Sequence, residues 1–528
     1  MKRYLAVRTH RAISSRHIVL LCCVFFACAA YAQSVPPTST NQGRLALQAA
    51  PSAKGTQRAK ETIPALLVSD IHFDPFWDLA KVQQLAAAPV SDWNPILAAA
   101  SSMDREQRFT TLLQTCHARG ADTSYPLLES SLKAMRNHAA GAKFIILAGD
   151  LLSHAFQCKY NTLFPRSTPD GYKAFVEKTM SFVIAELNGI SPGLPVYVAL
   201  GNNDSDCGDY RMDAHSEFLA MTGKLITEAV PATQRPGALK TFIAGGYYSV
   251  PLPAPIQNAR LLVLNDIFMS SNYSTCAGKA DPAAADAELA WLQQQLDEAR
   301  VRNQNVWVMG HIPPGIDAYA SMARMIDPCG RASPRMFLSS EKLTDTLTDN
   351  SDVVKLALFA HTHMDEIRLL RAEPATRYPT APGISMIDAR GFISEPRVVA
   401  LKTVPSISPI NGNIPSFTVA QVDPATATLV DYRVIAAADQ TGSGQWSEEY
   451  DYSRAYGEPS YSASSVNQLL TRFAEDFKVQ SEASQSYLRS YFVGGGASML
   501  VPFWPQYVCT LTHHTAAAFG TCACSTAH

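Results

Sequence analysis

The chain has 528 residues, of which 47% are hydrophobic and 17% are charged. These proportions are typical of globular proteins and exclude a predominantly disordered chain, while the length allows roughly two to four domains of ~150 residues each. The formal net charge of −2 excludes a strongly basic surface of the kind that binds nucleic acid non-specifically.

Residues 1–32 have the pattern of a signal peptide. Five basic residues and no acidic residue accompany the apolar run IVLLCCVFFACAA, and Ala30-Tyr31-Ala32 has the small-x-small form of a cleavage site. The run is shorter than the ~20 residues that a membrane span needs, although an uncleaved N-terminal anchor is an alternative. We therefore predict a secreted or periplasmic protein with no transmembrane segment after signal removal. Without residues 1–32 the chain has 39 basic and 46 acidic residues, which gives a net charge of −7.

Residues 33–61 are rich in Ser, Thr, Gln, Pro and Ala, which is typical of a linker. From residue 62, short apolar runs alternate with helical patterns, and this alternation predicts an α/β domain. The predicted strands are 63–70, 142–150, 194–204, 259–266, 305–313 and 354–363. The clearest helix covers residues 282–300, with Pro282 at its first position. Its apolar stripe consists of Leu289, Leu292, Leu296 and Ala299.

Nearly every predicted strand ends in polar residues that are able to bind metal ions. They are Asp70-x-His72, Gly149-Asp150, Gly201-Asn202, Gly310-His311 and His361-x-His363. Ligands of α/β sheets collect beyond the carboxyl ends of the strands, so we expect these side chains to converge although they lie far apart in sequence. A single Asp or His at a strand end is more often a cap or turn residue. The prediction therefore depends on all five motifs occurring in this order.

This order of motifs resembles that of the calcineurin-like metallophosphoesterases, over approximately residues 62–415. Two further features resemble the branch of acid sphingomyelinase and the sphingomyelinase-like phosphodiesterases. The segment GDLLSH places His154 four residues beyond Asp150, and the segment PSISPINGNIPSF (405–417) follows the metal motifs. The resemblance implies a four-layer αββα sandwich as the catalytic domain, residues 62–415, and a partly helical C-terminal extension, residues 416–528.

The resemblance also assigns seven metal ligands. Those of the first ion are Asp70, His72 and His363, those of the second are Asn202, His311 and His361, and Asp150 bridges both. Two cations ~3.5–4 Å apart can hold phosphate oxygens and generate a hydroxide for in-line attack on phosphorus. The mixed nitrogen and oxygen ligands suit zinc, and also manganese or iron. Because exported members of this branch usually carry zinc, we predict two divalent ions, with zinc as the first choice.

Relatives usually have a histidine after the Gly-Asn motif, where this chain has Asn203. An amide cannot donate a proton in general acid catalysis, although it can hydrogen-bond a phosphoryl oxygen. We therefore predict that His154 protonates the leaving group. The alternative for His154 is a histidine at a helix start whose ring is satisfied by a backbone carbonyl.

These features predict an exported, dinuclear phosphodiesterase that hydrolyses a small, soluble phosphodiester or nucleotide and has no nucleic-acid surface. One alternative is an endopolyphosphatase, because the Gly-Asn-Asn-Asp form also resembles those enzymes. A second is a sphingomyelin phosphodiesterase, although residues 33–61 contain no cysteine and are too short for the saposin domain of sphingomyelinases in this branch. The third is a protein that binds a phosphate ligand without turnover.

Eight cysteines follow the predicted signal, and an even number in an exported chain favours disulfides. They are Cys116, Cys158, Cys207, Cys276, Cys329, Cys509, Cys522 and Cys524. The sequence does not determine their connectivity, but the last three indicate a local loop from Cys509 to Cys522 or Cys524. The alternative for the Cys-Ala-Cys segment is a soft-metal site that includes His528.

Overall fold

A computed structural model of the protein describes residues 61–228, 230–372, 397–494 and 497–526. The predicted signal peptide (1–32) and all but the last residue of the predicted linker (33–61) lie outside the described residues, so both stay predictions. Within the described residues, the chain forms twelve strands and sixteen α-helices.

The strands are β1 (Ile63–Val68), β2 (Ile145–Leu147), β3 (Val196–Val198), β4 (Tyr248–Pro251), β5 (Ala259–Val263), β6 (Asn305–Met309), β7 (Val354–Phe359), β8 (Glu366–Arg371), β9 (Val398–Thr403), β10 (Ser416–Val422), β11 (Leu429–Ala436) and β12 (Ser447–Asp451). The helices are α1 (Val82–Ala87), α2 (Trp93–Ala98), α3 (Arg105–Thr115), α4 (Tyr125–His138), α5 (Phe156–Leu163), α6 (Pro169–Asn188), α7 (Glu217–Thr227), α8 (Arg235–Gly245), α9 (Ala283–Val301), α10 (Met322–Ile326), α11 (Lys342–Asp349), α12 (Tyr452–Tyr456), α13 (Ala463–Glu475), α14 (Glu482–Ser490), α15 (Trp504–Thr512) and α16 (Ala516–Ser525).

The strands form two six-stranded sheets. The first has the order β12-β11-β10-β1-β2-β3, in which β1, β2 and β3 are parallel and β10 is antiparallel to β1. The second has the order β4-β5-β6-β7-β9-β8, in which β5, β6, β7 and β9 are parallel. All six predicted strands are confirmed with shorter bounds. Their last residues leave the sheet and begin the loops that follow, and the second and third strands also begin three and two residues later than predicted.

Both faces of the second sheet are buried, as the alternation along its strands shows. Leu261 and Trp307 belong to the core shared with the first sheet, whereas their neighbours Leu262 and Val308 pack in a separate core with residues of α9 and α11. The two sheets also meet directly, because the backbone N–H of Val198 in β3 donates to the hydroxyl of Tyr248 in β4 at 2.9 Å. Helix α4 lies against β10, and α9 lies against β5 and β6. The fold is therefore the predicted αββα sandwich.

The predicted boundary between a catalytic domain (62–415) and a C-terminal extension (416–528) is wrong as a division of the fold. Residues 416–451 contain β10, β11 and β12, which continue the first sheet. The physical reason is hydrogen bonding: β2 satisfies the backbone groups on one side of β1, and β10 satisfies those on the other side. The partly helical portion begins only at α12, and its helices α13 and α15 pack against β8 of the second sheet.

Helix α9 corresponds to the helix predicted at residues 282–300, displaced by one residue. It begins at Ala283, and Pro282 is its N-cap. The residues of the predicted stripe that are buried are Leu292, Leu296 and Ala299. One charged residue, Glu288, is also fully buried, because its carboxylate accepts the backbone N–H of Asn265 at 2.6 Å.

Four disulfides pair all eight cysteines between residues 61 and 526. They are Cys116–Cys158, Cys207–Cys276, Cys329–Cys524 and Cys509–Cys522. The prediction of disulfides and of a local loop that begins at Cys509 is confirmed. The soft-metal alternative for the Cys-Ala-Cys segment is wrong, because Cys524 is bonded to Cys329.

Candidate metal centre

All seven predicted metal ligands lie in loops that follow strands of the two sheets. Asp70 and His72 follow β1, Asp150 follows β2, Asn202 follows β3, His311 follows β6, and His361 and His363 follow β7. Because β1, β2 and β3 are parallel, as are β6 and β7, the carboxyl ends of these strands deliver the side chains to one place. The loops from the two sheets meet there, and every side chain of the group except that of His361 is buried.

Asp150 is at the centre of this group. Its Oδ2 atom lies 3.3 Å from Nε2 of His72 and 3.2 Å from Nε2 of His311. These two histidines come from different sheets, so one carboxylate oxygen is shared between the two halves of the sandwich. A carboxylate in this position has the placement required of a bridging ligand.

The other ligands divide into two groups, one on each side of Asp150. On one side, Oδ1 of Asp70 lies 3.5 Å from Nε2 of His363 and 3.8 Å from Nε2 of His72. The other group consists of His311, whose Nε2 lies 3.1 Å from Oδ1 of Asn202, and His361, whose Nε2 lies 3.1 Å from the hydroxyl of Tyr210. The structure thus brings all seven predicted side chains together around Asp150, and ligand atoms of Asp150, His311 and His361 lie within 4.8 Å of one another. Oδ1 of Asp70 also lies 4.0 Å from Nε2 of His311, so the two groups adjoin.

Hydrogen bonds to backbone carbonyls fix the orientation of two of the imidazoles. Nδ1 of His72 lies 2.7 Å from the carbonyl oxygen of Leu152, and Nδ1 of His311 lies 2.7 Å from the carbonyl oxygen of Ala148. Because a carbonyl only accepts, each Nδ1 carries a proton and each Nε2 is the ring nitrogen that faces the group. This arrangement is typical of histidines that bind metal ions.

The donor atoms fit divalent cations. Oδ1 of Asp70 is buried without a hydrogen-bond partner. Nε2 of His72 lies only 3.2 Å from Nε2 of His363, and two ring nitrogens at this distance need a proton or a cation between them. The amide of Asn202 donates to Asp209 at 2.7 Å, which leaves its oxygen facing His311. A cation site requires nitrogen and oxygen donors whose lone pairs are not already used in hydrogen bonds.

The carboxylates of the centre change the pKa values of the imidazoles beside them. Burial opposes the charged form of both His72 and His311, but Asp150 helps to outweigh it and raises the pKa of His72 to about 9 and that of His311 to about 10. At the other two imidazoles burial prevails, and it lowers the pKa of His361 to about 3 and that of His363 to about 4. The centre therefore favours cations while it keeps two imidazoles neutral.

Comparison with known proteins decides the family. The model of the family described as calcineurin-like phosphoesterase matches residues 63–365, which is more than half of the chain. The chain belongs to the calcineurin-like phosphoesterase family. It is therefore a phosphoric ester hydrolase, which sets aside the alternative of a protein that only binds phosphate, and the family implies divalent metal ions.

Curated relatives support the predicted branch. The phosphoesterase is 25% identical over 470 residues to acid sphingomyelinase-like phosphodiesterase 3b of Homo sapiens, which covers 86% of this chain and 89% of the relative. It is also 25% identical to the cyclic GMP-AMP phosphodiesterase SMPDL3A of Mus musculus, over 71% of this chain and 76% of the relative. A solved dimetal phosphatase from Danio rerio aligns with 71% of this chain and 95% of that chain, at 11% identity and a TM-score of 0.39.

The backbone of the phosphoesterase is strained at the candidate ligands. Five of the seven have a positive φ: Asp70 and His72 at 45°, Asp150 at 57°, His361 at 69° and His363 at 66°. Residues other than glycine seldom adopt this left-handed conformation, which costs of the order of 1–3 kcal/mol at each position. Packing in both sheets must hold these loops in place. The left-handed conformation directs the side chains towards the centre.

Two buried carboxylates that the sequence analysis missed stabilise these loops. Asp204 accepts the backbone N–H groups of Leu151 and Leu152 through Oδ1 and that of Gly201 through Oδ2. Asp266 accepts the backbone N–H of His311 at 2.9 Å. Burial raises the pKa of Asp204 and that of Asp266 to about 7. Each residue is the last of a predicted strand, so the signal that identified the candidate ligands was also present here.

His154 lies beside the centre and is held by Asp122. Its ring stacks on that of His72, with centroids 4.1 Å apart. Its Nδ1 lies 3.0 Å from Oδ1 of Asp122, and its backbone N–H donates to Oδ2 of the same carboxylate at 2.8 Å. The alternative of a ring satisfied by a backbone carbonyl therefore does not describe His154. The sequence analysis missed Asp122, which stands in a loop with no motif around it.

Asn203 contacts Asp150. Its backbone N–H donates to Oδ1 of Asp150 at 2.8 Å, and its side-chain amide donates to Oδ2 at 3.0 Å. The sequence analysis considered a phosphoryl oxygen as the partner of this amide, but the structure engages it with the central carboxylate. Two donors on one carboxylate restrict its rotation.

The segment 405–417, which supported the resemblance, closes one side of the centre. The backbone N–H of Ser408 donates to the carbonyl of Asp70 at 3.0 Å, and its hydroxyl donates to Asp122 at 2.9 Å. The amide of Asn413 donates to the carbonyl of Ser408 at 3.0 Å and keeps this segment in place. The motif therefore connects the loop of Asp70 with the carboxylate that holds His154.

Proposed function

We propose that this phosphoesterase is a dinuclear phosphodiesterase that hydrolyses a soluble phosphodiester of the nucleotide type. The observation that carries the proposal is the position of Asp150 between two groups of nitrogen and oxygen donors. In the proposed assignment, the ligands of the first ion are Asp70, His72, Asp150 and His363, and those of the second are Asp150, Asn202, His311 and His361. This donor set supports zinc for both positions.

When bound, the two ions would supply Lewis-acid stabilisation of the phosphate oxygens and lower the pKa of an attacking water. The residues of the chain perform the other tasks. Asp122 holds the Nδ1 proton of His154, so its Nε2 is free to give a proton to the oxygen of the leaving group. Asn203 keeps the carboxylate of Asp150 in its shared orientation. His154 is 27% exposed in its side chain, which gives a substrate access to it.

The names of relatives support a small substrate. They include proteins named for the hydrolysis of cyclic GMP-AMP, which is a soluble phosphodiester of nucleotides.

Export is also part of the proposal. The four disulfides require an oxidising compartment, which the secreted or periplasmic location would provide. None of the helices in the described part of the chain has the length and apolar character needed to cross a membrane. Residues 1–32 would act as the signal.

The test combines metal analysis with a panel of substrates. Purified protein is assayed with a bis(aryl) phosphate, a cyclic dinucleotide, a nucleoside triphosphate, CDP-choline, polyphosphate and sphingomyelin, before and after chelation. We expect two ions per chain, fastest turnover of soluble phosphodiesters, loss of activity on chelation and recovery on addition of zinc. Full activity after exhaustive chelation would contradict the dinuclear proposal. A preference for polyphosphate or for sphingomyelin would select the corresponding alternative.

A further inference from the structure

Lys159 is a fully buried lysine in α5 that neither binds a proposed metal ion nor faces the substrate. Its Nζ donates to Oδ2 of Asp74 at 2.6 Å and to the hydroxyl of Ser153 at 3.3 Å. The same nitrogen lies 3.8 Å from Oδ2 of Asp122, the carboxylate that holds His154. A buried ammonium without anions costs several kcal/mol, so these contacts account for its presence in the interior.

The single positive charge of Lys159 does not balance the two negative charges of the carboxylates beside it. Asp74 and Asp122 are both buried, and one lysine stands between the two carboxylates. Apart from Lys159, Asp122 accepts the hydroxyl of Ser408 and two N–H groups of His154, one from the backbone and one from the ring. Burial acts against the charge on Asp122, but His154, His72 and Lys159 hold its pKa well below its usual range. The carboxylate that orients His154 is thus kept charged in part by Lys159.

We infer that Lys159 is a positioning residue: it offsets the charge of Asp74 and thereby keeps the Asp122 carboxylate available to hold the Nδ1 proton of His154. Without the ammonium, two buried carboxylates would share this space with no cation between them. Asp122 would then leave the position in which it orients the imidazole. This inference rests on the proposed role of His154, but its structural part concerns only the hydrogen bond between His154 and Asp122.

The charge relation gives a direct test. Lys159→Met removes one positive charge and leaves both carboxylates, whereas the double variant Lys159→Met/Asp74→Asn removes one charge of each sign. We expect the single variant to hydrolyse alkyl phosphodiesters ~10–100-fold more slowly, with a smaller effect on activated aryl esters. The double variant should recover most of the loss on alkyl esters. A purely structural role of Lys159 would change the stability and slow all esters alike, so the ratio of alkyl to aryl rates would stay constant in both variants.

A spectroscopic measurement separates this inference from the proposed function. In protein labelled with ¹⁵N-histidine, the Nδ1–H signal of His154 is assigned by its absence in His154→Ala. We expect Lys159→Met to lose this signal and the double variant to regain it. If His154→Ala shows no dependence on the leaving group, the acid role of His154 fails, while the NMR signal still decides whether Lys159 orients the ring.

Lys81→Met is the matched control, because Lys81 is another buried lysine whose Nζ donates to the backbone carbonyls of Leu97 and Ala99. It should lower stability without changing the ratio of alkyl to aryl rates. If Lys159→Met does not fold, Lys159→Gln removes the charge while it keeps a donor, and the same results are expected. An unchanged His154 signal in the single variant, or a double variant no better than the single one, would overturn the inference.

Discussion

The metal centre and the tyrosine-rich core both bury charged side chains, but the two regions differ in whether the charged atoms have partners of opposite charge. We define the tyrosine-rich core as the group Tyr432, Tyr450, Tyr456, Tyr461, Tyr487, Tyr491 and Tyr507, of which the first two belong to β11 and β12 of the first sheet and the others to the partly helical portion that follows. It encloses two ion pairs, Asp365 with Lys402 and Glu366 with Arg368. At the metal centre, by contrast, carboxylates and imidazoles face one another.

The difference lies in how the charged atoms are satisfied. In the tyrosine-rich core, Asp365 also accepts the hydroxyl of Tyr450 at 2.6 Å, and Glu366 accepts two donors of Arg368 at 2.8 and 3.0 Å. At the metal centre, Oδ1 of Asp70 has no hydrogen-bond partner. Satisfied buried charges hold a fold together, whereas unsatisfied ones mark a place for a ligand. A substitution in the first region should therefore cost stability, and one in the second should cost function.

The largest effect is expected for Asp150→Asn. Loss of the central negative charge should release metal ions and lower hydrolysis by roughly 10³-fold or more, because several kcal/mol of electrostatic stabilisation disappear. The free energy of unfolding of the metal-free protein should change little. Metal analysis, kinetics and urea unfolding of the same preparation measure the three quantities. Full activity with a normal metal content would remove Asp150 from the centre of the mechanism.

His154→Ala should slow alkyl phosphodiesters by ~10²–10⁴-fold and activated aryl esters much less, because only a poor leaving group needs a proton. The measurement is a plot of log(kcat/KM) against the pKa of the leaving group. Asn203→Ala is the matched comparison at the same centre and should shift all esters by a similar factor. A steep dependence in the Asn203 variant with none in the His154 variant would reverse the two assignments.

Lys402→Met applies a comparable change to the tyrosine-rich core. Asp365 would remain buried without its cation, so the free energy of unfolding should fall by ~3–5 kcal/mol. Metal content and the relative rates on different esters should stay unchanged below the unfolding transition. Urea unfolding and metal analysis measure these quantities. Loss of metal ions with an unchanged free energy of unfolding would contradict the proposed difference between the two regions.

The smallest effect is expected for Asn203→Ala on metal binding. Removal of the side-chain donor leaves the backbone N–H on Asp150, so the affinity for metal ions should fall by only ~10–100-fold, as for other outer contacts of metal ligands. Asn203→Asp should have a larger effect, because it places a second carboxylate against Asp150. Competition with a chelator measures both affinities, and equal affinities in the two variants would argue against the contact.

The sequence predicted the strands and the convergence of the candidate ligands for the same physical reason. Short, fully buried runs such as Ile145–Leu147 are recognisable as strands, and the polar residues that follow them converge because parallel strands end together. The sequence did not identify the supporting residues Asp122 and Lys159, because each acquires its role through contacts with distant segments of the chain. No spacing along the chain reports that Lys159 faces Asp74 across 85 positions.

The misplaced boundary at residue 415 has a different origin. Ser416–Val422 and Leu429–Ala436 pair as antiparallel strands joined by a short connection, and their apolar pattern was available in the sequence. The resemblance ended near residue 415, so these strands were assigned to an extension. Only the pairing of β10 with β1 shows that they belong to the sheet that carries Asp70.

The position of β1 between β2 and β10 has a consequence for biosynthesis. Thr62 and Gln421, whose side chains are hydrogen-bonded beside this pairing, lie 359 residues apart. At ~5–20 residues per second, a ribosome needs roughly 20–70 s to cover that distance, and during this time one edge of β1 has no partner. A nascent chain that stops before residue 416 keeps this edge open to other chains. The loop of Asp70 is completed only by residues 407 and 408 and by the pairing with β10, so the centre forms only after synthesis has passed this segment.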